Sequence, residues 1–245
     1  MILRYLSVIG SEPAAFFIVV GAFAFSILFS LSFHELSHAY IADRLGDRTP
    51  RAFGRLTLNP MRHMDPVGSV MILVIGFGWA KPVPVNPYNT ANPRKSMAMI
   101  ASAGPLSNLM MASLAGLPIK LGLVNGTHAF VAPSVVPQLA RYVTDSPGNM
   151  LGLFLGTVVL INVLLAIFNL IPLAPLDGYN VASGLLPPEM AEPYQRAAPW
   201  MPGILMLLIL MPFVIGSSPL FDLMSPFISF FLDLFVGDST PIRFG

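Results

Sequence analysis

The chain has 245 residues, 55% of them hydrophobic and only 10% charged, with a mean hydropathy of +0.73; this excludes an ordinary soluble domain and reads as an integral membrane protein. A formal net charge of +1 without any basic block leaves nothing to neutralise a row of phosphates, so a nucleic-acid partner is excluded. The absence of cysteine removes disulfides and zinc–thiolate sites and leaves His, Asp and Glu as the strong metal ligands.

Residues 1–12 lack a signal-peptide layout, because Arg4 stands alone and Ser11, Glu12 and Pro13 break a short apolar run; they read as an interfacial lead-in or a loose terminus. Pro13 starts a helix that stays apolar to about Ile41, long enough to cross a hydrocarbon core of roughly 30 Å. Residues 42–65 are polar, and the alternation in RAFGRLTLNP predicts a small strand or hairpin. The stretch VGSVMILVIGFGWA, 67–80, is apolar but short for a crossing and reads as re-entrant or buried against protein. KPVPVNPYNTANP, 81–93, is extended loop, since proline lacks an amide donor and biases its predecessor away from helix.

Further spans are expected over about 96–119 and 148–170, with the apolar stretch 129–143 between them as a cap on the outer face or a contact for a substrate's outer part. Residues 171–199 are Pro-rich around a short helix after Asp177, another apolar segment covers 200–216, and 221–237 is a short amphipathic helix suited to the interface. The expected fold is therefore an all-α polytopic membrane protein with about four to six transmembrane helices, re-entrant segments and a small cytoplasmic-side β-hairpin. Of the 13 Lys and Arg, eight fall between 41 and 95, namely Arg44, Arg48, Arg51, Arg55, Arg62, Lys81, Arg94 and Lys95. By the positive-inside rule that segment is cytoplasmic and the N-terminus outside.

The first span ends in His34-Glu35-Leu-Ser-His38. On a helix, positions i and i+4 lie about 40° apart, so both imidazoles face one way and can share a metal. Two neutral imidazoles suit zinc, and the intervening Glu35 can serve as general base towards a water that zinc makes acidic. Counted from Asp43 and Arg44, His34 lies roughly 13 Å deep, where ionisable groups are costly unless they face protein, water or metal. The competing reading is a pair of satisfied polar residues that pack helices, but Glu35 would then need a partner of its own. For a third ligand Asp177 stands out, because Pro172 and Pro175 break the preceding helix at about the depth of His34. A plain Asp-Gly turn or helix N-cap explains it equally well.

HELSH (34–38), AGPLSN (103–108) and NLIPLAPLDG (169–178), with GRLTLNP and GWAKPVPVN between them, resemble the site-2 protease family of intramembrane zinc metalloproteases, in its compact prokaryotic form. The likeness covers roughly residues 20–186. It implies His34, His38 and Asp177 as ligands of one zinc ion per chain and Glu35 as catalytic acid/base. It also implies that Asn169 lies beside the zinc and binds the oxyanion or scissile carbonyl. The residues alone leave open that Asn169 holds unwound backbone. Gly104 and Pro105 read as helix packing and a kink, and Asn108 is left without a role. The family's PDZ and CBS modules are absent from the pattern. The chain is expected to be a single membrane-embedded metalloprotease domain over 1–245, with a catalytic core about 13–186 and C-terminal helices 187–245.

The implied activity is hydrolysis of peptide bonds in or near transmembrane segments of membrane proteins, in a prokaryotic inner membrane, with the active site towards the cytoplasm. A helix hides its carbonyls, so the substrate must unwind, and an edge strand at 51–58 would capture it by β-augmentation. His63 reads as a surface residue and His128 as an outer-side one. A metal transporter or sensor would need further His or acid clusters along a span, and a silent adaptor has no need of Glu35. Substrate, trigger and oligomeric state have no signature in the sequence.

Overall fold

The computed structural model describes residues 12–74, 78–131 and 135–237. The lead-in expected over 1–12 lies outside them except for Glu12, and parts of 67–80 and 129–143 do as well. The α-helices are α1 (Pro13–Arg44), α2 (Thr49–Ala52), α3 (Pro66–Val74), α4 (Pro93–Lys120), α5 (Val136–Asp145), α6 (Pro147–Asn169), α7 (Asp177–Leu185), α8 (Pro188–Arg196), α9 (Met201–Ile215) and α10 (Pro219–Val236). Helix after helix opens with proline in its first turn, where the missing N–H costs no hydrogen bond.

Five helices are long and apolar enough to cross a membrane: α1, α4, α6, α9 with the turn before it, and α10. Their outward faces carry bare apolar side chains, such as Leu114 at 65% exposure and Phe213 at 83%. A soluble surface would not present such continuous apolar area, and lipid is the solvent that suits it. The chain is accordingly an integral, multi-pass membrane protein. α3 has nine residues, about 14 Å at helical rise and too short to cross. α10 is the amphipathic helix expected at 221–237, long enough to cross, with its apolar stripe turned to the bundle. Leu220, Met224, Ile228, Leu232 and Val236 form a buried i, i+4 stripe against Val159, Val163 and Ala112 of α6 and α4.

α4 and α6 form the centre, with α1 across both of them and α7 against α4. At the far end from the His34 turn, α5 lays Val136, Leu139, Ala140 and Val143 over Ala15, Phe16 and Val19 of α1 and Leu153 of α6. So the stretch 129–143 is partly an amphipathic helix packed on the bundle rather than a free loop. Close approaches mark these contacts. A Cβ on Gly184 would collide with Ala98, which brings α7 against the start of α4, and Arg94 ties the same two helices by donating to Ser183 O and Leu186 O.

The β-hairpin expected on the cytoplasmic side is not formed: no strand exists among the described residues, only an isolated antiparallel bridge between Met64 and Ala80. Pro50 opens the single turn α2, and Gly54 takes a φ of +66°, which strands exclude. The apolar members of the alternation find no surface to cover, with Phe53 65% and Leu58 52% exposed. The edge strand for substrate capture at 51–58 falls with it. The segment is instead organised around buried polar groups. Arg55, 6% exposed, donates through Nη1 to Arg62 O (2.6 Å) and Lys81 O (3.1 Å). His63, expected at the surface, is fully buried and bonds Thr57 O through Nε2 at 2.7 Å.

Asp47 closes this segment onto α1. Its buried carboxylate accepts from Thr49 Oγ1 (2.5 Å), Thr49 N (3.1 Å), Asn86 N (2.7 Å) and Asn89 Nδ2 (2.8 Å). Burial pushes its pKa up, but these donors outweigh burial and hold it below the usual carboxylate value. The charged form is thus favoured by folding, so its contribution is present above the unfolded pKa and is lost as pH falls through the folded one. Asp47→Ala should lose about 2 kcal/mol of stability at pH 7. The melting-temperature gap to the wild type, followed in detergent, should narrow as pH is lowered below about 4.

Candidate metal centre

α1 passes through the bundle so that His34, Glu35 and His38 all turn inward, with exposures of 4%, 9% and 7%. Asp177 is the first residue of α7, reached from α6 by a tight loop in which Ile171 and Leu176 are buried in the main core. Gly178 follows because the carbonyls of Leu170 and Ile171 lie where any Cβ would sit. The close return of the chain at this point aims the Asp177 carboxylate at α1.

The three side chains meet. Asp177 Oδ2 lies 3.1 Å from His34 Nε2 and 3.2 Å from His38 Nε2. His38 Nδ1 faces the backbone carbonyl of Ile100 at 2.7 Å, and a carbonyl only accepts, so Nδ1 carries the proton and Nε2 the lone pair. His34 Nδ1 faces Asn108 Oδ1 at 2.6 Å and is in the same state. With both rings neutral, two imidazole lone pairs and a carboxylate oxygen therefore converge, and Asp177 Oδ2 is buried with no assigned hydrogen-bond donor.

Such an arrangement is repulsive by itself and is relieved by a proton or a metal ion among the three atoms. The ligand atoms lie within 4.8 Å of one another. Separations near 3.1–3.2 Å compare with roughly 3.3–3.4 Å between vertices of a tetrahedron at zinc–ligand distances of about 2.0–2.1 Å. Two imidazoles and one carboxylate make up a zinc donor set of the catalytic type, with one position left for water or substrate. Zinc fits the residues present.

Gly104 of α4 completes the cavity. A Cβ there would fall within 2.6 Å of His34 Cε1 and Nε2 and closer still to His38 Nε2. Gly104 is therefore more than a helix-packing residue, since it leaves room around both ligand nitrogens. Glu35 makes no hydrogen bond among the described residues and so keeps its carboxylate available beside His34.

Asn169 ends α6 half-buried, and its Nδ2 donates to Leu165 O of its own helix at 2.9 Å. None of its hydrogen bonds among the described residues reaches the three ligands. His128, 4% exposed, lies in the connection between α4 and α6 outside the ligand group, with burial holding its pKa down to about 4. The sequence reading left Asn108 without a role and did not single out Asn162 or Ser30; all three are fully buried. Asn162 sits inside an otherwise apolar run, the one signal that could have marked it.

A model of peptidase family M50 matches residues 22–211, a span that includes all these side chains. "Putative zinc metalloprotease YwhC" of Bacillus subtilis is 36% identical over 200 residues, covering 82% of this chain and 84% of the relative. "Putative zinc metalloprotease Rip2" of Mycolicibacterium smegmatis is 33% identical over 202 residues, covering 78% and 68%. "Putative zinc metalloprotease Rip2" of Mycobacterium tuberculosis is 29% identical over 214 residues, covering 84% and 73%. No solved structure matches the chain at a comparable level.

Because the space above Gly104 is occupied by ligand nitrogens, Gly104→Ala should weaken zinc binding by about 100-fold or more while the helical far-UV spectrum is retained. Equilibrium competition against a chromophoric zinc chelator measures it.

Proposed function

We propose, for a chain that belongs to peptidase family M50 and is an intramembrane zinc metalloprotease, that His34, His38 and Asp177 hold the zinc and that Glu35 is the catalytic acid/base. The observation that carries this assignment is the convergence of His34 Nε2 and His38 Nε2 on a buried Asp177 oxygen without a donor. Zinc, when bound, supplies Lewis acidity that polarises a carbonyl and makes a water acidic near neutral pH.

The protein's own groups do the rest. Asn108 and the Ile100 carbonyl hold the imidazoles in the tautomer whose Nε2 is free. The Glu35 carboxylate takes a proton from the attacking water and returns it to the leaving amine. Asn169 serves from the end of α6 as donor to the developing oxyanion, through the amide hydrogen that does not go to Leu165 O. The surrounding apolar helices keep bulk water from the site, which strengthens each of these interactions.

The substrate is a membrane protein, cut in or near a transmembrane segment that has locally unwound, because an intact helix offers no free carbonyl. The side of the bilayer follows from charge: the cationic segment 41–95 flanks the end of α1 that bears His38, so the site opens towards the cytoplasmic face of a prokaryotic inner membrane. The chain works as one membrane-embedded unit, with its catalytic core at about 13–186 and the C-terminal helices packed against it.

Purified protein in detergent or liposomes should cleave single-span membrane peptides. Glu35→Gln should retain about one zinc per chain and lose cleavage by at least 100-fold, whereas His34→Ala should lose zinc and cleavage together. A zinc-replete Glu35→Gln variant that still cleaves would sink the assignment. Asn169→Ala should reduce kcat by roughly 100-fold with zinc content unchanged.

A further inference from the structure

We infer that Asn162, which makes no hydrogen bond to the metal ligands, is a positioning residue that sets the tautomer of His34 by fixing which way the Asn108 amide points. The inference rests on the reading of His34 as a zinc ligand. It is carried by a chain of buried hydrogen bonds whose polarity is fixed at its far end. One amide atom of Asn162 lies 2.8 Å from Val158 O. A backbone carbonyl can only accept, so that atom is Nδ2, and its second hydrogen goes to Ser30 Oγ at 2.8 Å. Ser30 Oγ can receive it because its own hydrogen is donated to Ser26 O at 2.6 Å.

Asn162 therefore presents Oδ1 to Asn108, and the Asn108 atom 2.7 Å away must be Nδ2. Ser30 O, 3.3 Å from the same Nδ2, requires a donor there too. Asn108 Oδ1 is then left to face His34 Nδ1 at 2.6 Å, which protonates Nδ1 and bares Nε2. If Asn108 were rotated by half a turn, its Nδ2 would face Nδ1, the imidazole proton would move to Nε2, and His34 could not bind a metal. His38 has no such freedom, because its partner is the backbone carbonyl of Ile100. Asn108, Asn162 and Ser30 are each 0% exposed, so no solvent competes for these bonds.

A carboxylate has two equivalent oxygens, which makes the inference separable from simple packing. Zinc affinity of the full-length protein in detergent would be measured by chelator competition for the wild type, His34→Ala, Asn108→Leu, Asn108→Asp, Asn162→Val and the double variant Asn108→Asp/Asn162→Val. Asn108→Leu should weaken binding about 10- to 100-fold, and Asn108→Asp by less, since either oxygen accepts from Nδ1 although the other then meets Asn162 Oδ1 and Ser30 O without a donor. Asn162→Val alone should weaken binding about 10-fold, and should cost nothing further in the Asn108→Asp background.

Equal losses from Asn162→Val in both backgrounds, or none in either, would overturn the inference. Thermal unfolding of the chelated proteins identifies any variant that does not fold. In that event Ser30→Ala, which removes the hydroxyl that receives the Asn162 amide, replaces Asn162→Val, with a loss of several-fold expected only beside the native Asn108. If His34→Ala binds zinc as the wild type does, the ligand reading fails instead, independently of Asn162.

Discussion

The structure depends on one costly contact, the meeting of His34 Nε2, His38 Nε2 and Asp177 Oδ2 inside a helix bundle that faces lipid. Three electron-rich atoms within 4.8 Å repel one another, and little water is at hand to screen them. Packing must hold them together when no cation does, and the elements around the site are those that supply the packing. α4 and α6 make the most extensive contact, α1 lies across both, and α7 is pressed against α4 through Gly184 and Arg94. Part of the stability of the bundle is thereby invested in a local geometry that a bound cation relieves.

Glycine and backbone carbonyls do much of this positioning. Gly104 makes room for the imidazole nitrogens and Gly178 lets the chain fold back upon Leu170 and Ile171, so that Asp177 arrives at a fixed height. The Ile100 carbonyl on α4 orients His38, and the Asn108 amide, two helical turns further along the same helix, orients His34. One face of α4 thus carries both outer contacts of the ligand pair and the space between them. α4 bears no ligand, yet it is the helix on which the site is built.

The two ends of the bundle are stabilised by different physics. At the charged end, outside the hydrocarbon, the segment after α1 is held by the buried groups Asp47, with four hydrogen bonds among the described residues, Arg55, with two, and His63, with one. Inside the bundle, Asn162, Asn108 and His34 form a chain in which each amide donor finds an acceptor. The His34–His38–Asp177 group lies between the two regions, close to the end of α1 that leads into the charged segment.

The amino-acid sequence left Asp177 open between a metal ligand and a plain turn or cap, but by itself determined the membrane environment, the long apolar helices near their observed bounds and the His34-Glu35-His38 face. Those properties follow from composition, from the 3.6-residue period and from proline placement, all local in the chain. It misled at RAFGRLTLNP, where a short alternation suggested a strand, because a strand needs a neighbour to pair with and Gly54 with Pro50 denied it one. At 221–237 the amphipathic helix was legible in the sequence, but not that its apolar stripe serves α4 and α6. Only the tertiary structure decided the roles of Gly104, Asn108 and Asn162. Each acts through residues between about 50 and 130 positions away, and no local pattern records a contact of that separation, since it exists only once the helices have packed.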